Sequence, residues 1–123
     1  MVMFCKREDL QNESDVEQKL LWPILTAATP KGFGYTAAEI ATKINIRKYE
    51  LDKGAKRRIY RPDYVVQLAG LPVMVVEAKA PNVAIEDALE EGRLYAARIN
   101  ENFPSGVNPC VRVIACNGDT FAS

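Results

Sequence analysis

The pattern of apolar and polar positions predicts two amphipathic helices. Asn12 or Ser14 can cap the first helix, and Pro23 is expected to kink or shorten it. Its apolar stripe consists of Val16, Leu20, Leu21 and Ile24. A second helix is predicted over residues 83–100. Its stripe consists of Ile85, Ala88, Leu89, Gly92, Ala96 and Ile99.

Four segments are predicted as strands. The first, "EIATKINIRKYEL" (39–51), has alternating apolar positions and precedes a turn at "DKGAK". "RRIYRPDYVVQLA" (57–69) and "PVMVVEAKA" (72–80) form a hairpin, and "CVRVIACNG" (110–118) holds the last strand and a turn. The order is α-β-β-β-α-β, which predicts an α/β fold with a mixed sheet flanked by helices.

Composition limits the chemistry of the chain. With 123 residues, 48% of them hydrophobic, it suits a single domain with one core. Sixteen basic and sixteen acidic residues give a net charge of zero, which argues against a strongly basic nucleic-acid coat. The chain has no histidine, which excludes histidine bases, histidine metal ligands and Ser-His-Asp triads. Any chemistry must use carboxylates, lysine, tyrosine and bound metal.

The cysteines and the apolar segments indicate a cytoplasmic protein. Three cysteines are an odd number without metal-site spacing, and Cys110 and Cys116 are expected to be buried reduced thiols. The start "MVMFCKRED" leaves no room for a signal-peptide core. Gln67, Gly70 and Pro72 interrupt the best apolar segment, so no membrane span is expected.

The predicted hairpin brings charged groups together in an apolar setting. With a turn near Gly70 and Leu71, Asp63 lies opposite residues 77–79, while Glu77 and Lys79 share a face of their strand. Facing residues have Cβ atoms roughly 4.5–5.5 Å apart, where two acids repel each other. A divalent cation such as Mg²⁺, which binds carboxylates, would relieve this repulsion. The alternative is a salt bridge at the sheet edge between Lys79 and one of the acids.

At this point the sequence resembles a known family. "RPDYVV" followed by "VVEAKAP" resembles the PD-(D/E)xK nuclease superfamily, and most closely the N-terminal nuclease domain of type I restriction enzyme R (HsdR) subunits. The likeness extends over "ESDVEQKLLWPIL", "ALEEGRLYAARIN" and "NPCVRVIACNG", and so covers most of the chain. It implies a restriction-endonuclease-like core that binds Mg²⁺, with Mn²⁺ as a possible substitute, and cuts phosphodiester bonds.

The resemblance implies a role for each residue that matches the family motif. Asp63 and Glu77 match the metal-binding acids, and the backbone carbonyl of Ala78 matches a further ligand. Lys79 matches the catalytic lysine that orients the attacking water and balances charge in the transition state. Glu17 matches a glutamate of the first helix that reaches the metal.

Two alternatives to the role of Glu17 stay open. "SDVE" is also a capping box, in which Glu17 bonds back to Ser14. Glu13, one turn earlier, replaces Glu17 if the alignment slips.

The predicted DNA contacts lie on the second helix and in a basic run. Many relatives carry a Gln-x-x-x-Tyr motif that contacts the site and the DNA; here Tyr95 fits, but Glu91 stands in place of Gln. Simple packing of Tyr95 at the border of the stripe, with its hydroxyl at the surface, is the alternative. Arg57, Arg58 and Arg61 precede Asp63 and are candidate phosphate contacts.

These observations together predict a Mg²⁺-dependent DNA endonuclease domain over residues 1–123, as the N-terminal part of a longer protein. The family's partners would be DNA, an ATP-dependent translocase and restriction-modification subunits, although the chain itself contains no "GxxxxGK[ST]" loop. Two other classes remain: a catalytically silent nucleic-acid-binding or docking module, and a structural domain with a salt-bridge cluster.

Overall fold

Helices cover both faces of a mixed β-sheet. The computed structural model describes residues 4–42, 51–53, 58–60 and 62–123, and for 51–53 and 58–60 the backbone alone. The first helical segment comprises α1 (Glu13–Asp15), a π-helix (Val16–Leu21) and α2 (Trp22–Thr26). Helix α3 (Ile85–Asn100) follows later in the chain. Short 3₁₀ turns lie at Arg7–Asp9 and Ala37–Glu39.

Five strands form the main sheet, in the order β1-β4-β5-β6-β7. The strands are β1 (Ile40–Thr42), β2 (Leu51–Lys53), β3 (Arg58–Tyr60), β4 (Tyr64–Leu68), β5 (Leu71–Ala78), β6 (Arg112–Cys116) and β7 (Phe121–Ala122). Strands β5 and β6 are parallel and are joined through α3, whereas the other neighbours in this sheet are antiparallel. Strands β2 and β3 form a separate antiparallel pair. The predicted α/β fold with helices flanking a mixed sheet is confirmed.

The β4–β5 hairpin has the predicted register. Tyr64 pairs with Val76, within the predicted range. The turn lies at Ala69–Gly70, one residue earlier than predicted, and a register shift between Val66 and Gln67 compensates for this difference. Both turn residues have positive φ. This two-residue turn with left-handed conformations suits the twist of an antiparallel hairpin. Side chains alternate between the faces, so one core cluster packs against the first helical segment and a second cluster packs against α3.

Several details differ from the sequence prediction. The predicted strand 57–69 is divided into β3 and β4 around Pro62, which has no N–H to donate to a sheet ladder. Of the predicted strand 39–51, β1 and the first residue of β2 are described, whereas Ile44, Ile46 and Tyr49 lie outside the described residues. Strand β7 was not predicted, since two residues are too short to show a period.

The first helix continues through Pro23 and ends at Thr26, so the proline does not end the helix at its own position. The π-helix precedes this proline, and the Trp22 N–H bonds the carbonyl of Glu17, five residues earlier. This wider turn moves the buried stripe to Val16, Leu21 and Leu25, while the predicted Leu20 and Ile24 are only partly buried.

Gly92 allows α3 to approach the sheet closely. A Cβ at this position would overlap Cγ1 of Val113 and would lie 3.3 Å from Cγ of Glu77. An alanine in a helix interior is intrinsically favoured over glycine by about 1 kcal/mol, but overpacking a core costs about 1–3 kcal/mol. The steric cost of a side chain at this position therefore outweighs the gain in helix propensity.

We expect Gly92→Ala to lower the free energy of unfolding by up to about 2 kcal/mol, the overpacking cost less the gain in helix propensity. Chemical denaturation measures this change. Glu90→Ala, at an exposed position of the same helix, is the control and should stay within about 0.5 kcal/mol of the unsubstituted chain. A Gly92→Ala variant as stable as the control would show that the close approach is not needed.

Candidate functional site

Asp63 and Glu77 meet at the end of the β4–β5 hairpin. Extending the ladder one residue beyond the Tyr64–Val76 pair places the two acids opposite each other. The Asp63 N–H donates to Oε1 of Glu77 at 3.3 Å, and Oδ2 of Asp63 accepts from the Ala78 N–H at 2.7 Å. Both acids are buried, with 4% and 3% of their surface exposed. The sheet core therefore holds two adjacent carboxyl groups, as the sequence predicts.

The surroundings of Glu77 favour its protonated form. Burial raises the pKa of Glu77 to about 10, and the charges of Asp63 and Glu91 add to this rise. The bond from the Asp63 backbone and the charge of Lys79 oppose the rise. These surroundings favour the neutral carboxyl group of Glu77, and a positive charge close to it would favour the ionised form.

A group of three carboxylates lies beside these two strands. Oxygen atoms of Glu13, Glu17 and Asp63 lie within 4.8 Å of one another. The Tyr64 hydroxyl donates to the backbone carbonyl of Glu17 at 3.0 Å, which fixes the helical segment against β4. Glu17 thus lies near Asp63. Glu13, the alternative to Glu17, lies near Asp63 as well.

The capping-box alternative for Glu17 is wrong. Asn12 is the N-cap, since its side chain accepts from the Asp15 N–H at 2.8 Å. Ser14 lies within the helix, and its hydroxyl bonds Nε2 of Gln18 instead. Ser14 is therefore not the N-cap residue that a capping box with Glu17 requires.

Lys79 lies against α3. Its Nζ is 2.9 Å from Oε2 of Glu91, and the two side chains are 24% and 15% exposed. Burial lowers the pKa of Lys79, but the hydrogen bond and charge of Glu91, with the charges of Glu13 and Glu77, outweigh this effect and raise it. Lys79 is therefore an ammonium group at neutral pH, able to donate hydrogen bonds and to balance negative charge.

Glu91 also bonds Tyr95. The Tyr95 hydroxyl donates to Oε1 of Glu91 at 2.8 Å, and Tyr95 is only 1% exposed. Burial and this bond raise the pKa of Tyr95. The expectation of a border position with a surface hydroxyl is wrong, because Tyr95 packs in the core next to Val65 and Val75. Its role as a DNA contact stays a prediction.

The remaining predicted site residues lie partly outside the described part of the chain. Arg57 and Arg61 are outside the described residues, and Arg58 is described as the first residue of β3 by its backbone alone. The Ala78 N–H points to Asp63, and in an extended strand the carbonyl of the same residue faces the same side. Its role as a metal ligand stays a prediction.

Sequence reasoning missed that Glu91 joins Lys79 to Tyr95. Glu91 and Tyr95 are four residues apart, which predicts that they are neighbours on a helix. Nothing in the sequence gives the rotation of α3 that turns Glu91 towards Lys79. The cysteine prediction is confirmed: Cys110 and Cys116 are buried free thiols.

The comparisons with known proteins identify a family. Residues 39–122, more than half of the chain, match the family described as the type I restriction enzyme R protein N terminus. A search of curated proteins and a search of solved structures gave no match. Within the described ranges, no helix has the length and apolar character needed to cross a membrane. The chain belongs to the family of N-terminal domains of type I restriction enzyme R proteins.

Proposed function

We propose that this chain is a DNA endonuclease domain that hydrolyses phosphodiester bonds with Mg²⁺. The observation that carries the proposal is the convergence of Glu13 and Glu17 of the first helix on Asp63, which directly precedes β4 and bonds Glu77 of β5. Membership of the restriction-enzyme family supports the same function.

The residues present suit Mg²⁺. This ion prefers oxygen ligands and is usually held by one or two carboxylates, with water and substrate phosphate completing its coordination. Asp63 and Glu77 would hold the ion together with the Ala78 carbonyl, and Glu17 or Glu13 would reach it directly or through water. When bound, Mg²⁺ supplies Lewis acidity to the phosphate and makes water a better nucleophile.

The chain's own residues prepare this chemistry. The Ala78 N–H fixes the Asp63 carboxylate, and the surrounding core keeps Glu77 away from bulk solvent. Lys79, held as an ammonium group, donates to the attacking water or to a phosphate oxygen. It does not act as the base, because its neighbours favour the charged form.

Plasmid cleavage tests the proposal. Nicking or cleavage should occur with Mg²⁺ or Mn²⁺ and should stop with a chelator, and calorimetry should detect a bound cation. Glu86→Gln, at an exposed position in the first turn of α3, is the control for Glu77→Gln because it makes the same change in charge, and it should cleave normally. Absence of both cleavage and cation binding would favour the catalytically silent module or the structural salt-bridge cluster.

The chain alone should bind DNA weakly and without sequence preference. Because its net charge is zero, it attracts the phosphate backbone little at long range. We expect Kd values on the order of 10⁻⁴–10⁻⁶ M that rise steeply with salt. Fluorescence anisotropy over a salt series measures both, and nanomolar sequence-selective binding at physiological salt would contradict this expectation.

The missing affinity is proposed to come from partners. Membership of the R-protein family suggests in general that the domain acts together with DNA and with the subunits of a modification complex. An ATP-dependent translocase and restriction-modification subunits would bring the DNA to this domain.

A further inference from the structure

The carboxylate of Glu91 occupies the position beside the Lys79 ammonium group that a phosphate oxygen of the substrate would need. Its Oε2 lies 2.9 Å from the Lys79 Nζ, a distance typical of a charge-assisted hydrogen bond. The Lys79 side chain is 24% exposed, so part of it is in contact with solvent. A phosphate oxygen arriving at Lys79 therefore meets an ammonium group that a carboxylate already neutralises.

The carboxylate is held more firmly than the lysine. The Tyr95 hydroxyl, deep in the core, donates to the other oxygen of Glu91. Gly92, the next residue, packs its backbone tightly against Val113 and Glu77, which fixes this turn of α3. Lys79 instead has a flexible four-carbon side chain and three donors, so the lysine is the partner that can move.

We infer that Glu91 is an internal competitor for the DNA phosphate, which holds Lys79 in the absence of DNA and is replaced by a phosphate oxygen when DNA binds. This inference rests on the proposed function in assuming that Lys79 meets a DNA phosphate. It makes Glu91 a positioning residue that weakens DNA binding, instead of a residue that contacts DNA.

DNA affinity of Glu91→Gln tests the inference. Glutamine keeps an acceptor for the Tyr95 hydroxyl but removes the charge that competes for Lys79. In chelator and at low salt, we expect a short fluorescent DNA duplex to bind this variant about fivefold more tightly, as for the loss of one partly exposed ion pair. Glu90→Gln, an exposed neighbour on α3 with the same change in net charge, should bind like the unsubstituted chain.

A double-mutant cycle separates competition for Lys79 from a general charge effect. The gain from Glu91→Gln should vanish in a Lys79→Gln background, because no ammonium group is then left to release. A gain that persists in this background would overturn the inference. Equal or weaker binding by Glu91→Gln, or no measurable binding by any variant, would also overturn it.

A second variant and the choice of buffer keep the result interpretable. Glu91→Ala should change affinity in the same direction, and thermal melting should show that both variants fold; weaker binding by a folded Glu91→Ala would count against competition. The chelator makes binding independent of cleavage. If Glu91→Gln binds DNA more tightly and this gain depends on Lys79, but no Mg²⁺-dependent cleavage occurs, the nuclease proposal alone is refuted. If cleavage occurs but Glu91→Gln does not bind DNA more tightly, the competitor role alone is refuted.

Discussion

Replacing Glu77 with glutamine should abolish Mg²⁺-dependent cleavage and make the metal-free chain more stable at pH 8. Burial raises the pKa of Glu77 from 4.5 to about 10, so the folded chain keeps a proton that the unfolded chain releases. Stability of the unsubstituted chain therefore falls as pH rises from about 4.5 through about 10. Glutamine does not ionise, so it removes this loss, which amounts to a few kcal/mol at pH 8.

Denaturation at pH 5 and pH 8, with and without Mg²⁺, measures the effect. The stabilisation by Glu77→Gln should be small at pH 5 and large at pH 8, and Mg²⁺ should stabilise the unsubstituted chain more than the variant. Asp63→Asn should also lose cleavage but should change stability less, because asparagine can still accept from the Ala78 N–H. Strong destabilisation of both variants without metal would instead indicate a structural salt-bridge cluster.

Lys79→Ala should lower the cleavage rate by roughly 10²–10⁴-fold, the range for loss of a positioned proton-transfer or charge-stabilising group. The substitution removes no proposed metal ligand, so calorimetry should still show a bound cation. The combination of intact metal binding and lost cleavage separates the role of the lysine from that of the acids.

Lys31→Ala is the control for Lys79→Ala, since Lys31 is an exposed lysine of the loop after α2. It should retain the cleavage rate of the unsubstituted chain. If Lys79→Ala cleaves as fast as this control, the assigned role of Lys79 is wrong.

The hairpin could be predicted from sequence because its information is local. A turn near Gly70 and a period of two determine the faces of the strands, and a one-residue shift of the register between Val66 and Gln67 completes the pairing. That pattern places Asp63 opposite Glu77, with Lys79 on the same side. The chemistry of the two strands could therefore be anticipated without knowledge of the rest of the fold.

The surroundings of α3 could not be predicted in the same way. A helical projection orders the residues around the helix, but it does not show which side faces the sheet. The close packing at Gly92 determines that side, and it brings Tyr95 into the core and Glu91 towards Lys79. Such a contact joins residues far apart in sequence, so no local pattern reveals it.

The π-helix has a consequence for chains in which this segment differs in length. Deleting one residue between Glu17 and Trp22 would convert the wide turn into a regular α-helix. Because the wide turn holds one residue more than a regular turn, the residues before it would keep their side of the helix, with Val16 still on the face of Leu25. Glu13 and Glu17 would therefore still face Asp63, and the core beneath them would stay filled. A one-residue gap at this point of an alignment would thus mark sequences that carry the same helix-borne carboxylates on a regular α-helix.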